Sequence, residues 1–463
     1  MRRHRSVRRL KAAYFLPLFA ALPASLVAVS VGGRWAAVVV FACISSIVYI
    51  ADEERVYLAA IALVPFIAGI RRISAGERGY VENDPLVLLP VMVAAPVLIS
   101  ILRSRVAVRR GGALLLLACC GSILVSAAVG LVQGQSAVLY GAILQLVPLV
   151  AGVGIACGLF VGLHLKVLRV AVATGVVVAV YGIMQRFYAP SWDLAWLRDR
   201  QEVLVSIGPP IQGQFRVFST MESPGPYALF LAIAVTLCAV RAAYSDGRRA
   251  IFVAVALILF VAMCLSSVRA AIFAVPIALI VALVASRRLG APGAVVLAGA
   301  SVAIVSTLPV WLDRGGSESS VSAARYSLSA LGEDGSFQER TELLAQFASV
   351  LRSPFGSGPG TVTPLDNGYL ARGLELGMFG LVIFLAIVLL AVREGLRAAP
   401  TDAAAGLALS VVVLGAVFEL SGAAVSGSIG YFFWPSVGYL FSDLVVRRGA
   451  ALRQERPEGT VIA

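Results

Sequence analysis

The sequence predicts an all-α polytopic membrane protein, and three observations support that prediction. Of its 463 residues, 59% are hydrophobic and only 14% are charged. The mean hydropathy is +0.91. Apolar runs of about 18–20 residues, the length that an α-helix needs to cross ~30 Å of hydrocarbon, recur from one end of the chain to the other. A soluble domain with so little charge would be unusual, so we expect one integral-membrane domain over residues 1–463.

The apolar runs predict about fourteen transmembrane helices, each able to cross or nearly cross the bilayer at a rise of ~1.5 Å per residue. In chain order these spans are predicted at 14–31, 35–51, 56–70, 85–102, 112–132, 137–163, 168–187, 226–243, 250–265, 269–286, 291–311, 373–392, 403–423 and 429–446. The span at 56–70 is short, and Pro148 favours a break inside the long span at 137–163.

The basic residues alternate between loops as the positive-inside rule requires. Arginine-rich loops fall on one side of the membrane, whereas QGQS at 133–136 and SGS at 426–428 fall on the other. This alternation predicts cytoplasmic N- and C-termini. It also accounts for the net charge of +13 without nucleic acid as a partner, because a nucleic-acid-binding face needs a basic surface with its own fold.

Two long segments are predicted outside the cytoplasm, at 188–226 and 312–372, and long loops in compact proteins are often functional. The second should contain a short amphipathic helix at 337–352, because Ser336-x-x-Glu339 is a capping box. Apolar residues then recur at helical spacing and predict that the helix lies on the membrane surface or on the roof of the protein. They are Leu343, Leu344, Phe347, Val350 and Leu351.

The predicted spans carry almost no charge, unlike those of transporters and pumps, which need ionisable residues at mid-membrane. The six cysteines lie in apolar runs without a CxxC pair, and no histidine falls on the outer side, so we predict no disulfide, metal site or cofactor. The side chains that can do chemistry gather instead on the outer side. They are Arg186, Arg216, Glu222, Arg269, Arg325, Glu339, Arg340, Asp366 and Glu375.

Arg269 follows Ser266-Ser267-Val268 on the side of the membrane where the positive-inside rule disfavours arginine. Two interpretations are open: an interfacial arginine that reaches lipid phosphates, or an anion ligand that faces a cavity. Arg216 lies in a Pro/Gly-rich loop just before a span, and it could likewise be a solvated loop charge or an anion ligand.

Arg340 falls in the first turn of the predicted amphipathic helix, on its apolar face. A cation there is unfavourable with the helix dipole unless a phosphate also binds the free N–H groups of that turn, and we therefore interpret Arg340 as a phosphate ligand. Gly356, Gly358 and Gly360 predict a bend with close backbone approach. Asp366 is either a base or, like its neighbour Asn367, the N-cap of the next span.

The order and spacing of these residues resemble the O-antigen ligase/polymerase superfamily of membrane glycosyltransferases. The likeness covers roughly 181–396 and rests on four stretches. They are RVFSTMESPGPYA at 216–228, LSSVRAA at 265–271, RTELLAQFASVLRSPFGSGPG at 340–360 and DNGYLARGLELGMFG at 366–380. In the family, these correspond to an arginine-led approach to a span, a Ser-Arg turn, an Arg-helix-Gly-rich loop, and a His/Asp-Asn start of a span followed by Glu-x-Gly-x-x-Gly.

The resemblance implies a GT-C-like fold and a reaction at the outer face of the bacterial cytoplasmic membrane. Its donor would be an undecaprenyl-diphosphate-linked glycan, its acceptor a glycan or a lipid-linked molecule, and its partners other polysaccharide-assembly membrane proteins. Arg216, Arg269, Arg340 and Arg325 would bind the diphosphate, since a guanidinium binds phosphate oxygens bidentately. Glu222 and Glu375 join them as substrate-binding candidates, and Asp366 and Arg340 as catalytic ones.

This sequence departs from the family pattern at two positions. Asp366 stands where the ligases typically have a histidine, and Pro226 where many members have an asparagine. The Asp-Asn pair is more similar to the polymerases, so we favour polymerisation over ligation. The rival interpretations are a lipid-linked-oligosaccharide flippase or other transporter, and a non-catalytic membrane scaffold.

Overall fold

The computed structural model describes residues 53–81, 84–89, 111–159, 162–200, 207–245, 247–290, 347–362, 365–422 and 429–442, together with single positions and pairs between them. Within these residues the secondary structure is helical throughout, without a β-strand. The predicted span at 14–31, and most of those at 35–51, 85–102 and 291–311, lie outside the described residues.

The described helices follow one another in a simple order. They are α1 (Glu53–Leu63), α2 (Ile67–Ala75), α3 (Gly111–Val132), α4 (Ala137–Ala156), α5 (Leu163–Phe187), α6 (Ser191–Arg200), α7 (Pro224–Ala243), α8 (Arg249–Cys264), α9 (Arg269–Ala285), α10 (Phe347–Arg352), α11 (Gly368–Ala398), α12 (Ala403–Phe418) and α13 (Gly430–Leu440). Short 3₁₀ turns lie at Val64–Phe66, Gly76–Arg78 and Pro85–Leu88.

Six helices in the described ranges are long and apolar enough to cross a membrane. They are Tyr57–Arg78, Gly111–Val132, Ala137–Ala156, Leu163–Phe187, Pro224–Ala243 and Gly368–Ala398. Helices α8, α9 and α12 are apolar but shorter. The prediction of an all-α protein is confirmed over the described residues, and six of their helices have the length and apolar composition that a membrane span needs.

The helix predicted at 56–70 is longer than the hydropathy pattern indicated. It continues from Tyr57 to Arg78 and is interrupted by a 3₁₀ turn around Pro65. Proline lacks the N–H that an α-helix needs in its interior, so the helix tightens there and then resumes as α2. The two arginines Arg71 and Arg72 therefore belong to the helix rather than to a loop.

The region predicted as one span at 137–163 divides differently from the prediction. Pro148 lies inside α4 without ending it. The helix ends instead at Ala156, where Gly158 has a φ of 81°, and α5 begins after Gly162, whose φ is 85°. Glycine adopts this left-handed conformation readily and commonly terminates helices.

The helices pack through small residues. Helix α7 contacts α5, α8, α9 and α12, and α4 packs along α13. In the α4–α13 contact, a Cβ added to Gly438 would lie only 2.2 Å from the carbonyl oxygen of Gly152. Small residues allow helices to approach closely in membranes, where hydrophobicity alone does not select a neighbour.

The loops that carry the candidate residues meet at one end of this bundle, which we call the polar end. It comprises α2, the described residues 188–200, 207–223 and 265–269, the first turn of α4, and residues 353–362 and 365–368. Contacts across it include Val217 N to Leu265 O at 3.3 Å and Gly69 N to Thr220 O at 2.8 Å.

Candidate functional site

Arg216 and the turn before Arg269 are in direct contact. The Nε atom of Arg216 donates to the carbonyl of Ser266 at 2.9 Å, and Nη2 donates to that of Ser267 at 3.3 Å. Arg269 begins α9 two residues later, and both arginines are partly exposed. Two cations that the sequence placed in separate loops thus share one region of the polar end.

The turn that presents Arg269 is formed by the two serines before it. Ser266 Oγ donates to the carbonyl of Met263 at 2.6 Å and accepts from Val268 N at 3.3 Å. Ser267 has a φ of 54°, which is uncommon for a residue other than glycine. The Ser-Ser-Val-Arg stretch is therefore a defined turn whose carbonyls are directed toward Arg216.

Glu222 lies at the polar end with a partner that sequence analysis missed. Its side chain is 60% exposed, and one oxygen accepts from Arg71 Nη1 at 2.5 Å. Arg71 Nε also donates to the buried Asp84 at 3.1 Å, and Arg34 pairs with the same carboxylate. The positive-inside rule that singled out Arg269 could also have singled out Arg71, since Arg71 directly follows the span predicted at 56–70.

The Gly-rich segment 356–360 adopts the bend that the sequence predicted. Gly356, Gly358 and Gly360 have φ values of 71°, 108° and 79°. A Cβ added to Gly358 would lie 2.7 Å from a methyl of Val138, and one added to Gly360 would lie 3.1 Å from Gly141 Cα. The segment is thus pressed against the first turns of α4, and side chains would not fit there.

Glu375 holds this bend in place from α11. Its side chain is buried, with Oε1 accepting from Gly360 N at 2.9 Å and Oε2 accepting from Gln145 Nε2 at 2.8 Å. Its backbone carbonyl accepts from Gly358 N at 3.0 Å and from the hydroxyl of Ser126. We predicted Glu375 as a substrate-binding residue; the contacts observed are with the protein's own backbone and with Gln145.

Helix α11 is kinked beside the same segment. Gly377 has a φ of 73° and a ψ of −178°, so the helical hydrogen-bond pattern is interrupted there. Met378 N and Phe379 N donate instead to the carbonyls of Ser353 and Pro354, at 3.0 Å and 3.3 Å. The Gly-rich motif and the Glu-x-Gly motif, which are separate in sequence, therefore form one packed unit.

Asp366 is exposed and immediately precedes the cap of α11. Asn367 is that cap, because its side chain accepts from Leu370 N at 3.0 Å. The sequence left both residues open as caps, and the geometry assigns the role to Asn367. The following residue, Gly368, donates its N–H to Glu419 O at 2.7 Å, which ties this segment to the end of α12.

Several predicted residues lie outside the described part of the chain. They are Arg325, Glu339 and Arg340, with most of the amphipathic helix predicted at 337–352. The described portion is α10, in which Val350 is buried against Gly373 and Leu351 is 68% exposed. Arg186 lies at the end of α5 and donates to the carbonyl of Gly213.

Over the residues that the structure covers, no group of three or more His, Cys, Asp or Glu side chains is arranged to hold a metal ion. No protein-family model matches the chain, and no curated protein is similar to it. The likeness to the O-antigen ligase/polymerase superfamily therefore stays a prediction that rests on the motif residues.

Proposed function

We propose that the protein is a membrane glycosyltransferase that polymerises undecaprenyl-diphosphate-linked glycans, with ligation of such a glycan to another acceptor as the less favoured reaction. The observation that carries the proposal is the contact of Arg216 with the turn that precedes Arg269. It places two guanidiniums in one partly exposed region, beside helices that can cross a membrane.

This proposal includes the finer architecture that the sequence predicts. About fourteen spans would cross a bacterial cytoplasmic membrane, with both termini inside and the polar end outside. The long segments at 188–226 and 312–372 would then face the outer leaflet, where a lipid-linked glycan donor presents its diphosphate. Arg340 and Arg325 would complete the set of phosphate-binding arginines.

The chemistry we propose is a displacement at the anomeric carbon of the donor glycan. The acceptor hydroxyl oxygen forms a bond to that carbon while the bond to the diphosphate oxygen breaks, and the lipid diphosphate leaves. Arginines at the diphosphate stabilise the charge that develops on the leaving group. Asp366, exposed beside the capped start of α11, accepts the proton of the hydroxyl.

The test is to compare Arg216→Ala and Arg269→Ala with Arg249→Ala in the purified chain, reconstituted with a lipid-linked glycan. Arg249 is a matched control because it is an exposed arginine at the opposite end of α8. We expect the first two variants to lose at least about a hundredfold in transfer rate, as is typical when a group that stabilises developing charge is removed. Arg249→Ala should retain the parent rate.

The same variants separate the proposal from its rivals. Stably inserted Arg216→Ala and Arg269→Ala chains that still give glycans of normal length in cells would overturn the catalytic assignment. Single repeat units that accumulate on the outer leaflet support polymerisation, whereas accumulation on the inner leaflet would indicate a flippase.

A further inference from the structure

A buried ion pair joins two helices directly beneath the loop that carries Arg216. Arg72 Nε donates to Asp193 Oδ1 at 2.7 Å, and the two side chains are only 1% and 0% exposed. Burying two charges costs desolvation that the pair itself rarely recovers in stability, so such pairs are weak evidence for stability and often serve to specify one arrangement.

Asp193 is fixed from its second oxygen as well. Its Oδ2 atom accepts from Tyr181 Oη at 3.0 Å and from Gln185 Nε2 at 2.6 Å, so α5 and α6 are joined at this carboxylate. With three donors around it, the carboxylate can hold the guanidinium of Arg72 in one orientation.

The remaining donors of Arg72 are directed at the loop. Nη1 donates to Met221 O at 2.6 Å, and Nη2 donates to the carbonyl of Ser219. The guanidinium carbon also lies 4.8 Å from the ring centre of Phe218. Arg72 therefore binds the backbone of 218–221 on one side and Asp193 on the other.

Gln185 binds the same stretch of backbone. Its Oε1 atom accepts from Phe218 N at 3.1 Å and from Ser219 N at 2.8 Å. Ser219 has a φ of 52°, a conformation that costs free energy for a residue with a side chain and persists only where its surroundings enforce it. Arg72 and Gln185 hold Ser219 in this conformation, because Arg72 donates to its carbonyl and Gln185 accepts from its N–H.

The next residue of the loop, Thr220, forms hydrogen bonds with the helix where it is interrupted at Pro65. Thr220 Oγ1 donates to Pro65 O at 2.6 Å, and Gly69 N donates to Thr220 O at 2.8 Å. A Cβ at Gly69 would lie 3.2 Å from Thr220 Cβ, so the close approach depends on glycine. At the 3₁₀ turn, the carbonyl of Pro65 and the N–H of Gly69 thus bond to Thr220 of the loop.

We infer that residues 65–72, Gln185 and Asp193 form a socket whose role is to position the loop 216–222, and through it Arg216 and Glu222. We call this set the loop socket. Arg72 and Asp193 are positioning residues rather than catalytic ones, since their contacts are with protein groups. The positioning of Arg216 for a lipid diphosphate rests on the proposed function, whereas the ordering of the loop does not.

The ordering is tested by hydrogen–deuterium exchange of the full chain in nanodiscs. In Arg72→Lys and Asp193→Asn, amides in peptides that cover 216–222 should exchange at least about tenfold faster than in the parent, since local opening there becomes easier. The milder variant Thr220→Val removes one hydrogen bond and leaves the ion pair in place, and it should also raise exchange in these peptides. It serves as the test if the charge variants fail to fold.

The matched control is Arg372→Lys, which weakens another buried ion pair, Arg372 with Glu419 at 3.3 Å. It should raise exchange near the start of α11 and leave 216–222 unchanged. Folded socket variants with parental exchange at 216–222, or equal effects of the control there, would overturn the inference.

Activity is a separate readout. If 216–222 loosens as expected, we expect the KM for a lipid-linked glycan to rise about tenfold in folded Asp193→Asn while kcat changes little. An unchanged KM would refute the positioning of Arg216. A parent chain that transfers no glycan, yet shows the expected exchange pattern in its variants, would refute the proposed function and leave the loop socket standing.

Discussion

Gln145 in the middle of α4 donates a hydrogen bond of 2.8 Å to Glu375 in α11, across 230 positions of sequence. The other carboxylate oxygen of Glu375 accepts from Gly360 N at 2.9 Å. One buried side chain therefore links a helix of the first half of the chain, the Gly-rich bend and a helix of the second half.

Replacement of Glu375 should lower the stability of the fold, because the contacts of its side chain are with protein groups. Glu375→Ala leaves the amide of Gly360 and the buried side chain of Gln145 without their acceptor, and a buried group left unpaired costs about 1–3 kcal/mol. Glu375→Gln keeps one acceptor and should lose less. Thermal unfolding in detergent measures the difference, and an alanine variant as stable as the parent would contradict this role.

The Gly-rich bend and the kink in α11 should not tolerate a side chain. In Gly377→Ala the added Cβ would lie 2.4 Å from Pro354 O at a φ of 73°, and strain alone costs about 1–3 kcal/mol at such positions. Gly121→Ala is the control, because a Cβ at this helical position would have no atom within 4 Å beyond its own helix backbone and chain neighbours. Yield of folded protein by size-exclusion chromatography should fall for Gly377→Ala alone. Equal yields for the two variants would rule out the close packing described here.

Asp366 and Asn367 should separate activity from stability. Asn367→Ala removes the side-chain cap of α11 and should cost about 1 kcal/mol of stability. Asp366→Asn should leave the melting temperature unchanged and lower glycan transfer by about 10²–10⁴-fold, the usual contribution of a general base. Melting and transfer assays on both variants decide the matter. Parental transfer in Asp366→Asn would remove it as the base.

The pair between Arg71 and Glu222 should contribute little to stability despite its short distance. The Glu222 side chain is 60% exposed, and ion pairs in contact with water typically contribute about 0.2–1 kcal/mol. A double-mutant cycle with Arg71→Ala and Glu222→Ala, followed by chemical unfolding, should give a coupling free energy in that range. A coupling free energy above about 3 kcal/mol would mean that the pair is screened from water far more than its exposure indicates.

Hydropathy predicted the helical class and the approximate bounds of α3, α7, α8 and α9, because apolar length is a property of the local sequence. It failed where individual residues, rather than apolar length, determine the bounds of a helix. The predicted span stopped at residue 70, before Arg71 and Arg72, but both arginines have carboxylate partners within the protein and the helix continues to Arg78. Gly158 follows the end of α4 and Gly162 precedes the start of α5, in a stretch where apolar side chains alone would have continued one helix.

The candidate site was predictable in part for a similar reason. The glycine spacing indicated a bend, and the position of Arg269 against the positive-inside rule indicated a special role. The partner of Arg216 is a pair of backbone carbonyls, at Ser266 and Ser267, which no pattern of side chains could reveal. The socket around Arg72 joins segments more than a hundred positions apart, and only the packing of the helices brings them together.

The kink at Gly377 also sets how much of α11 can lie in hydrocarbon. The whole helix, Gly368–Ala398, has 31 residues and would span about 46 Å at ~1.5 Å per residue, well beyond a bilayer core of ~30 Å. The part after the kink, from Met378 to Ala398, is about 31 Å long by the same measure and matches that thickness. The first turns, with Asn367 and Glu375, would then lie at headgroup depth, the level at which a lipid-anchored phosphate is found.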